Sequence, residues 1–311
     1  MSKAQRDAFG EALVEAGKKN KNLVVIDADI AGATRSKLFK EKFPNRFFNV
    51  GISEQDGISA ASGLAKSGLR PFFISFGVFT ASRYDQIRTS VAYSNAPVVL
   101  VGTHAGLMGK DGASHQALED IALLSSLPRM NIYQPADPLE VRQIVNYLAN
   151  NKEIAYLRIS RHPQENVHSE EHKFIPGKAS NLLISSDPKA AIFSTGYMNS
   201  YSLEAAKILS KEGIKVDVVN FSTLKPIDSN KIISYSEMSI PIFTVEDHNP
   251  IGGLGSRVSE VVAENRNSSR VFRLGVDGFG ESGDPKDLYI KYGLNPESIA
   301  NKIKDEFHNG N

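Results

Sequence analysis

The stretch Pro71-Phe72-Phe73-Ile74-Ser75-Phe76-Gly77-Val78-Phe79-Thr80-Ala81-Ser82-Arg83-Tyr84-Asp85-Gln86 passes from an unbroken apolar run into polar, helix-forming sequence. Pro71–Ser75 reads as a buried strand, because a run apolar on both alternating faces must be covered on both sides. A helix predicted over Ala81–Ser94 follows it. Outward from this unit the alternation repeats. Leu23–Ile26, Val98–Val101 and Ala155–Ile159 are further apolar runs, and Gln5–Lys19, Glu54–Ser67, Ala117–Ser125 and Pro138–Asn150 carry helical patterns between them. Strands alternating with helices through short turns predict an α/β fold with a mostly parallel sheet covered on both faces.

From His162 to Lys178 the pattern stops, and Pro163 and Pro176 interrupt a polar segment holding three of the seven histidines, His162, His168 and His172. This reads as a solvated linker over 162–178; no carboxylate pattern in the segment fixes those histidines as metal ligands. The alternation then resumes with strands Ala190–Ser194, Val216–Val219 and Ile242–Val245 and helices Leu203–Lys211 and Gly253–Ala263. Gly213 suits a left-handed helix C-cap. Two doubly wound α/β domains are expected, a larger one over 1–161 and a smaller one over 179–311.

The 311 residues suffice for two such cores without disulfides or structural metal. A 41% hydrophobic and 23% charged composition is that of a soluble globular protein. Thirty-six basic against 35 acidic residues leave a net charge of +1, which argues against a nucleic-acid binder with a generally basic surface. The absence of cysteine excludes disulfides, zinc–thiolate sites, iron–sulfur clusters and a cysteine nucleophile, and fits a reducing compartment. The N-terminus lacks the apolar stretch of a signal peptide, and no run approaches the ~20 residues of a membrane span, so the cytoplasm is the expected location.

Four constellations could carry chemistry. In Asn49-Val50-Gly51-Ile52-Ser53-Glu54-Gln55, Ser53 is placed to cap a helix and Glu54 to sit in its first turn. Read alone, Glu54 is as readily a surface residue matching the helix dipole. Phe76 and Phe79 sit where a strand gives way to a helix, lining either a pocket or the core. Gly102-Thr103-His104-Ala105-Gly106-Leu107-Met108-Gly109-Lys110-Asp111-Gly112-Ala113-Ser114-His115-Gln116 is a long polar loop after a buried strand, suited to substrate contact or proton transfer. Gly252-Gly253-Leu254-Gly255 precedes a helix but departs from G-x-G-x-x-G, which favours close strand–helix packing over nucleotide binding.

In this order, together with Ala28-Asp29, Gln134-Pro135-Ala136-Asp137 and Val245-Glu246-Asp247-His248, these units resemble the pyrimidine-binding and C-terminal domains of the transketolase family and of 1-deoxyxylulose-5-phosphate synthase. The resemblance implies thiamine diphosphate as cofactor. It implies that Glu54 hydrogen-bonds the aminopyrimidine ring and, kept protonated by burial, drives the amino-to-imino shift that activates the cofactor. Phe76 and Phe79 would pack on that ring, and Asp29 would lie near the thiazolium. Ser82 stands where the family carries a tyrosine against the pyrimidine. His104, Asp111 and His115 would orient sugar hydroxyls and move their protons, while Arg161 and Arg6 would bind the substrate phosphate. A family serine at that phosphate is replaced by Ala33, with Thr34 a candidate substitute. His104 stands where the synthase has arginine, which favours transketolase chemistry.

The family holds diphosphate and Mg²⁺ with a Gly-Asp-Gly…Asn motif, and Gly-Asp-Gly does not occur in this sequence. The resemblance therefore implies the C-terminal subunit of a split transketolase. It would transfer a two-carbon ketol unit from a ketose phosphate to an aldose, with no metal ligand of its own. A separate N-terminal subunit would complete the site, in an α2β2 assembly. The alternatives are the β subunit of a 2-oxoacid dehydrogenase's decarboxylating component, a deoxyxylulose-phosphate-synthase-like enzyme, and a non-catalytic assembly subunit.

Overall fold

The structure, a computed structural model, describes residues 2–265 and 269–309. Its larger sheet runs in the order Thr223–Lys225, Met130–Tyr133, Ile154–Ile159, Val99–Thr103, Arg70–Phe76, Leu23–Asp27 and Phe47–Asn49, all parallel except the first. The smaller sheet orders Val271–Leu274, Ile242–Val245, Ala190–Ser194, Val216–Asn220 and Ser180–Leu183, with only the last antiparallel. This is the α/β architecture that the strand–helix alternation predicts. The strands missing from that prediction are two to four residues long, among them the paired Lys3–Ala4 and Pro163–Gln164, too short for a periodic signal.

Three predicted helices differ markedly in extent, and Leu203–Lys211 is one of them, beginning earlier at Met198. Ala81–Ser94 is replaced by three pieces, Gly77–Ala81, Tyr84–Gln86 and a π-helical Ile87–Tyr93. The Arg83 amide bonds the Thr80 carbonyl three residues back, which closes the first piece. Ala117–Ser125 shrinks to Asp120–Ser125, because Ala117 forms a β-bridge with Ala105 instead. Gly213 adopts φ +80° and ends the helix Met198–Lys211, with the next amide bonding the Leu209 carbonyl.

Helices Gln5–Lys19 and Pro138–Asn150 cover one face of the large sheet, burying Phe9, Leu13, Ile144 and Leu148 against Val25, Phe72 and Leu157. On the other face Ile58, Ile121 and Leu124 join Phe73, Leu100 and Tyr156 in a core that continues into Phe193, Phe221 and Leu254 of the second unit. Each such side chain contributes about 1.5–3 kcal/mol on burial, so the shared core fixes one unit against the other.

Glu165, Glu170 and Lys173 of the segment 162–178 are exposed as expected of a solvated linker, but its three histidines are not. His168 is buried, with Nδ1 2.9 Å from Asp137 Oδ2 and Nε2 3.0 Å from Ser180 Oγ, and its ring stacks 3.6 Å from that of His172. His172 Nε2 lies 3.3 Å from Glu140 Oε1, and His162 Nε2 donates to the Leu107 carbonyl at 3.1 Å. The carboxylates come from the start of Pro138–Asn150, where Asp137 accepts the Glu140 amide as N-cap. Their sequence distance hid them. Glu140, His168 and His172 lie close enough to suggest a cation site, but bonds to Asp137, Ser180 and the Ala136 amide satisfy the cluster without one.

Candidate functional site

Strands Leu23–Asp27, Arg70–Phe76, Val99–Thr103 and Ile154–Ile159 all end on one edge of the large sheet, where an open α/β sheet places its ligands. Two non-glycine residues just beyond these ends have left-handed backbones, Asp29 at φ 66° and His104 at φ 57°. Each such conformation costs of order 1–3 kcal/mol, and strain of this kind collects at working sites.

Glu54 opens the helix Glu54–Lys66 and is 7% exposed; Ser75 Oγ donates to its Oε1 at 3.2 Å. Ser53 occupies the N-cap position, but its hydroxyl makes no capping bond. The turn after the strand puts Phe76 and Phe79 on one side, with ring centroids 5.8 Å apart and planes 18° from parallel. Half-buried rings beside a buried carboxyl suit a flat nitrogen heteroaromatic, which could stack on carbon and bond the acid through nitrogen. Ser82 is exposed, and its hydroxyl turns back to the Phe79 carbonyl at 3.3 Å. Asp29 is exposed and accepts from Asn49 Nδ2 at 2.8 Å.

His104 packs against Phe76, centroid to centroid 4.1 Å. Its Nε2 lies 3.3 Å from Arg6 Nη1, and a guanidinium only donates, so Nε2 is the acceptor. The proton then sits on Nδ1, which donates to Thr103 Oγ1 at 3.0 Å. Burial, with Arg161 and Arg6 nearby, lowers its pKa to about 3. Arg6 also donates to the Ala33 carbonyl, while its buried Nε has no partner among the described residues. Arg161 reaches Asp111 Oδ2 at 3.0 Å. His115 bonds Ser114 Oγ through Nδ1 and meets the Phe79 ring edge-on at 5.3 Å. A heteroaromatic slot thus adjoins a cationic corner, with imidazoles between them. Thr34 does not replace the missing serine: it is buried, and its hydroxyl faces Asp27, Ser36 and the Ile30 carbonyl.

Beneath the site lies a cluster absent from the expected set. Arg158, 1% exposed, donates Nε to both oxygens of Asp120 (2.9 and 3.2 Å) and Nη1 to Asp247 Oδ1 at 2.8 Å. Tyr156 also donates to Asp120, at 2.6 Å. The signal was present in Ala155-Tyr156-Leu157-Arg158-Ile159: an arginine inside a buried strand requires buried carboxylates. Of the neighbours of Asp247, His248 Nε2 accepts the Ile121 amide, and Glu246, raised to about pKa 7 by burial, accepts the amides of Leu254 and Gly255. Those amides are therefore spent on a carboxylate, and Gly252–Gly255 offers no free phosphate cradle. The residues around Glu54, Phe76 and Phe79 fit a heteroaromatic ring.

Residues 2–164 match the family described as transketolase, pyrimidine binding domain, and residues 179–299 that described as transketolase, C-terminal domain. A Methanocaldococcus jannaschii protein named as a transketolase C-terminal section is 41% identical across 98% of this chain and 96% of its own length. A 1-deoxy-D-xylulose-5-phosphate synthase from Caldanaerobacter subterraneus is 36% identical, covering 97% of this chain but 48% of the enzyme. A 6-deoxy-6-sulfo-D-fructose transketolase subunit from a Clostridium species is 34% identical, covering 95% of this chain and 92% of the subunit. A solved split gene transketolase, described as an inactive beta4 tetramer, superposes with a TM-score of 0.88 at 38% identity and 98% coverage of both chains. The chain spans nearly the whole of three of these proteins and about half of the synthase.

Proposed function

The chain belongs to the transketolase family, and from that membership we propose that it is the C-terminal subunit of a split, thiamine-diphosphate-dependent transketolase. It moves a two-carbon ketol unit from a ketose phosphate to an aldose, in the cytoplasm, in pentose phosphate metabolism or a specialised pathway. The observation that carries this reading is the double contact of Phe76, which stacks with Phe79 and packs against His104. One ring thereby joins a heteroaromatic slot to a polar, cationic pocket.

Thiamine diphosphate supplies, when bound, a thiazolium carbon that stabilises the charge left by breaking the sugar C–C bond. Glu54 presents its buried carboxyl, held by the bond from Ser75, to hydrogen-bond the aminopyrimidine nitrogen. Phe76 and Phe79 carry the ring and exclude water; Asp29 and Ser82 border it. His104, His115 and Asp111 orient the sugar hydroxyls and move their protons. Arg6 and Arg161 hold the phosphate, with the unpartnered Arg6 Nε as one available donor.

A separate N-terminal subunit brings the Mg²⁺ and diphosphate ligands, in an α2β2 heterotetramer. Two relatives matched nearly end to end, one named as a section and one as a subunit, support this division. The test is ketol transfer from xylulose 5-phosphate with and without the N-terminal chain. Turnover only on mixing is expected; full turnover by this chain alone overturns the split. Pyruvate consumption in place of ketol transfer would instead favour the synthase-like or dehydrogenase-like chemistry.

A further inference from the structure

We propose that Arg158 and Asp247 are positioning residues that grip the neck of loop 104–117, so that the second domain sets the place of His104, Asp111 and His115. What the loop does rests on the transketolase reading; the grip rests on geometry alone. The loop closes where Ala105 bridges Ala117 and the Gly106 amide donates to the Ala117 carbonyl at 2.9 Å. Arg158 Nη2 donates to that same carbonyl at 2.9 Å, and to the Asp247 carbonyl at 3.1 Å. One guanidinium therefore ties the loop's neck to both Asp120 and the second domain.

Asp247 closes the grip from the other side. Gly106 has φ +88°, and a Cβ there would fall 2.0 Å from Asp247 Oδ2, so the carboxylate lies directly against the neck's backbone. Two further loop glycines meet the same domain. A Cβ on Gly109 would lie 2.9 Å from Pro285 Cγ, and one on Gly112 would lie 2.7 Å from Ser282 Oγ. Gln116 Nε2 donates to the Glu281 carbonyl at 3.1 Å. The glycines at 106, 109 and 112 are thus the points at which the second domain presses on the loop. Glu54 and its helix lie outside these contacts.

The test is amide hydrogen exchange on the full chain, then kinetics of its complex with the N-terminal subunit. In Asp247→Ala, amides over 105–117 are expected to exchange about tenfold faster or more, while helices Gln5–Lys19 and Glu54–Lys66 keep their protection. Asp247→Asn keeps an oxygen for Arg158 and the bulk against Gly106, and should recover most of that protection. Gly106→Ala leaves the ion cluster intact and pushes on the neck directly, so it decides the matter if Asp247→Ala does not fold. In the complex, both perturbing variants should lower kcat/KM for the ketose phosphate about tenfold or more, with thiamine diphosphate affinity within about twofold. Unchanged exchange over 105–117 in either folded variant overturns the proposal, as does acceleration spread evenly over the chain. Absence of ketol transfer in the unmutated complex removes the transketolase reading and leaves the exchange result to decide the grip.

Discussion

The imidazole of His104 lies 4.1 Å from the ring of Phe76 and accepts, through Nε2, from Arg6 at 3.3 Å. Burial, together with the charges of Arg161 and Arg6, opposes a second proton. A neutral imidazole with a fixed tautomer can meet a sugar hydroxyl without adding charge beside Arg6 and Arg161. The strained φ of 57° at His104 is what turns the side chain back over Phe76 at the strand's end.

This neutrality has a stability consequence. Unfolded, His104 titrates near ~6.5, whereas burial and the two arginines hold it at about 3 in the folded chain. Between those values the unfolded state binds the extra proton, so stability falls as pH is lowered through that window. At pH 5 the loss from this residue is about 2 kcal/mol. His162 and His248, both lowered to about 4 chiefly by burial, add to the same acid limb. Urea unfolding at pH 7.5 and 5 should show a smaller drop for His104→Gln than for the unmutated chain; equal drops would contradict the folded-state assignment.

Glu54→Gln keeps a carbonyl oxygen for Ser75 Oγ and nearly the same volume, so the fold should be unaffected. What it removes is the acid proton. Loss of a positioned proton donor of this kind costs on the order of 10²–10⁴ in rate. Ketol transfer by the complex should fall by that range with the melting temperature unchanged. A rate within a few-fold of the unmutated enzyme removes Glu54 from the mechanism.

Arg161→Met separates binding from folding. Its pair with Asp111 is about a third exposed or more on both sides, and such pairs add ~0–1 kcal/mol to stability. A charge-assisted bond to phosphate is stronger, about 1.5–3 kcal/mol. KM for a phosphorylated donor should rise at least about tenfold, while KM for an unphosphorylated analogue should change little. Equal changes for both donors would show that Arg161 does not read the phosphate.

Much of the site can be read from local sequence, because its groups follow strand ends. Phe76, His104 and Arg161 each stand within two residues of a strand terminus, where a sheet of this kind presents side chains to ligands. What local sequence does not carry is pairing across distance. Arg158 announces a buried partner without saying that it is Asp247, and 162–178 looks solvated until Asp137 and Glu140 are brought beneath it. Thr223–Lys225 lies beyond the linker in the chain yet completes the first sheet, a crossing with no local signature in three residues.

The junction formed by His168 gives the remaining prediction. Burial by itself would lower its pKa, but the bond to Asp137 and the charges of Glu140 and Asp137 outweigh it and raise the value. Asp137 is correspondingly lowered: burial opposes this, but the bond from His168 prevails. A histidine raised in the folded state stabilises fully below its unfolded pKa of ~6.5, and that contribution is lost as pH rises through the folded value. His168→Gln should therefore cost about 1–3 kcal/mol at pH 6, the range for a hydrogen bond to a charged group, and distinctly less at pH 9. Urea unfolding of both chains at the two pH values measures this. An equal loss at pH 6 and pH 9 would mean that neutral His168 already makes all of its contribution, and that no charge links the segment to the helix beneath it.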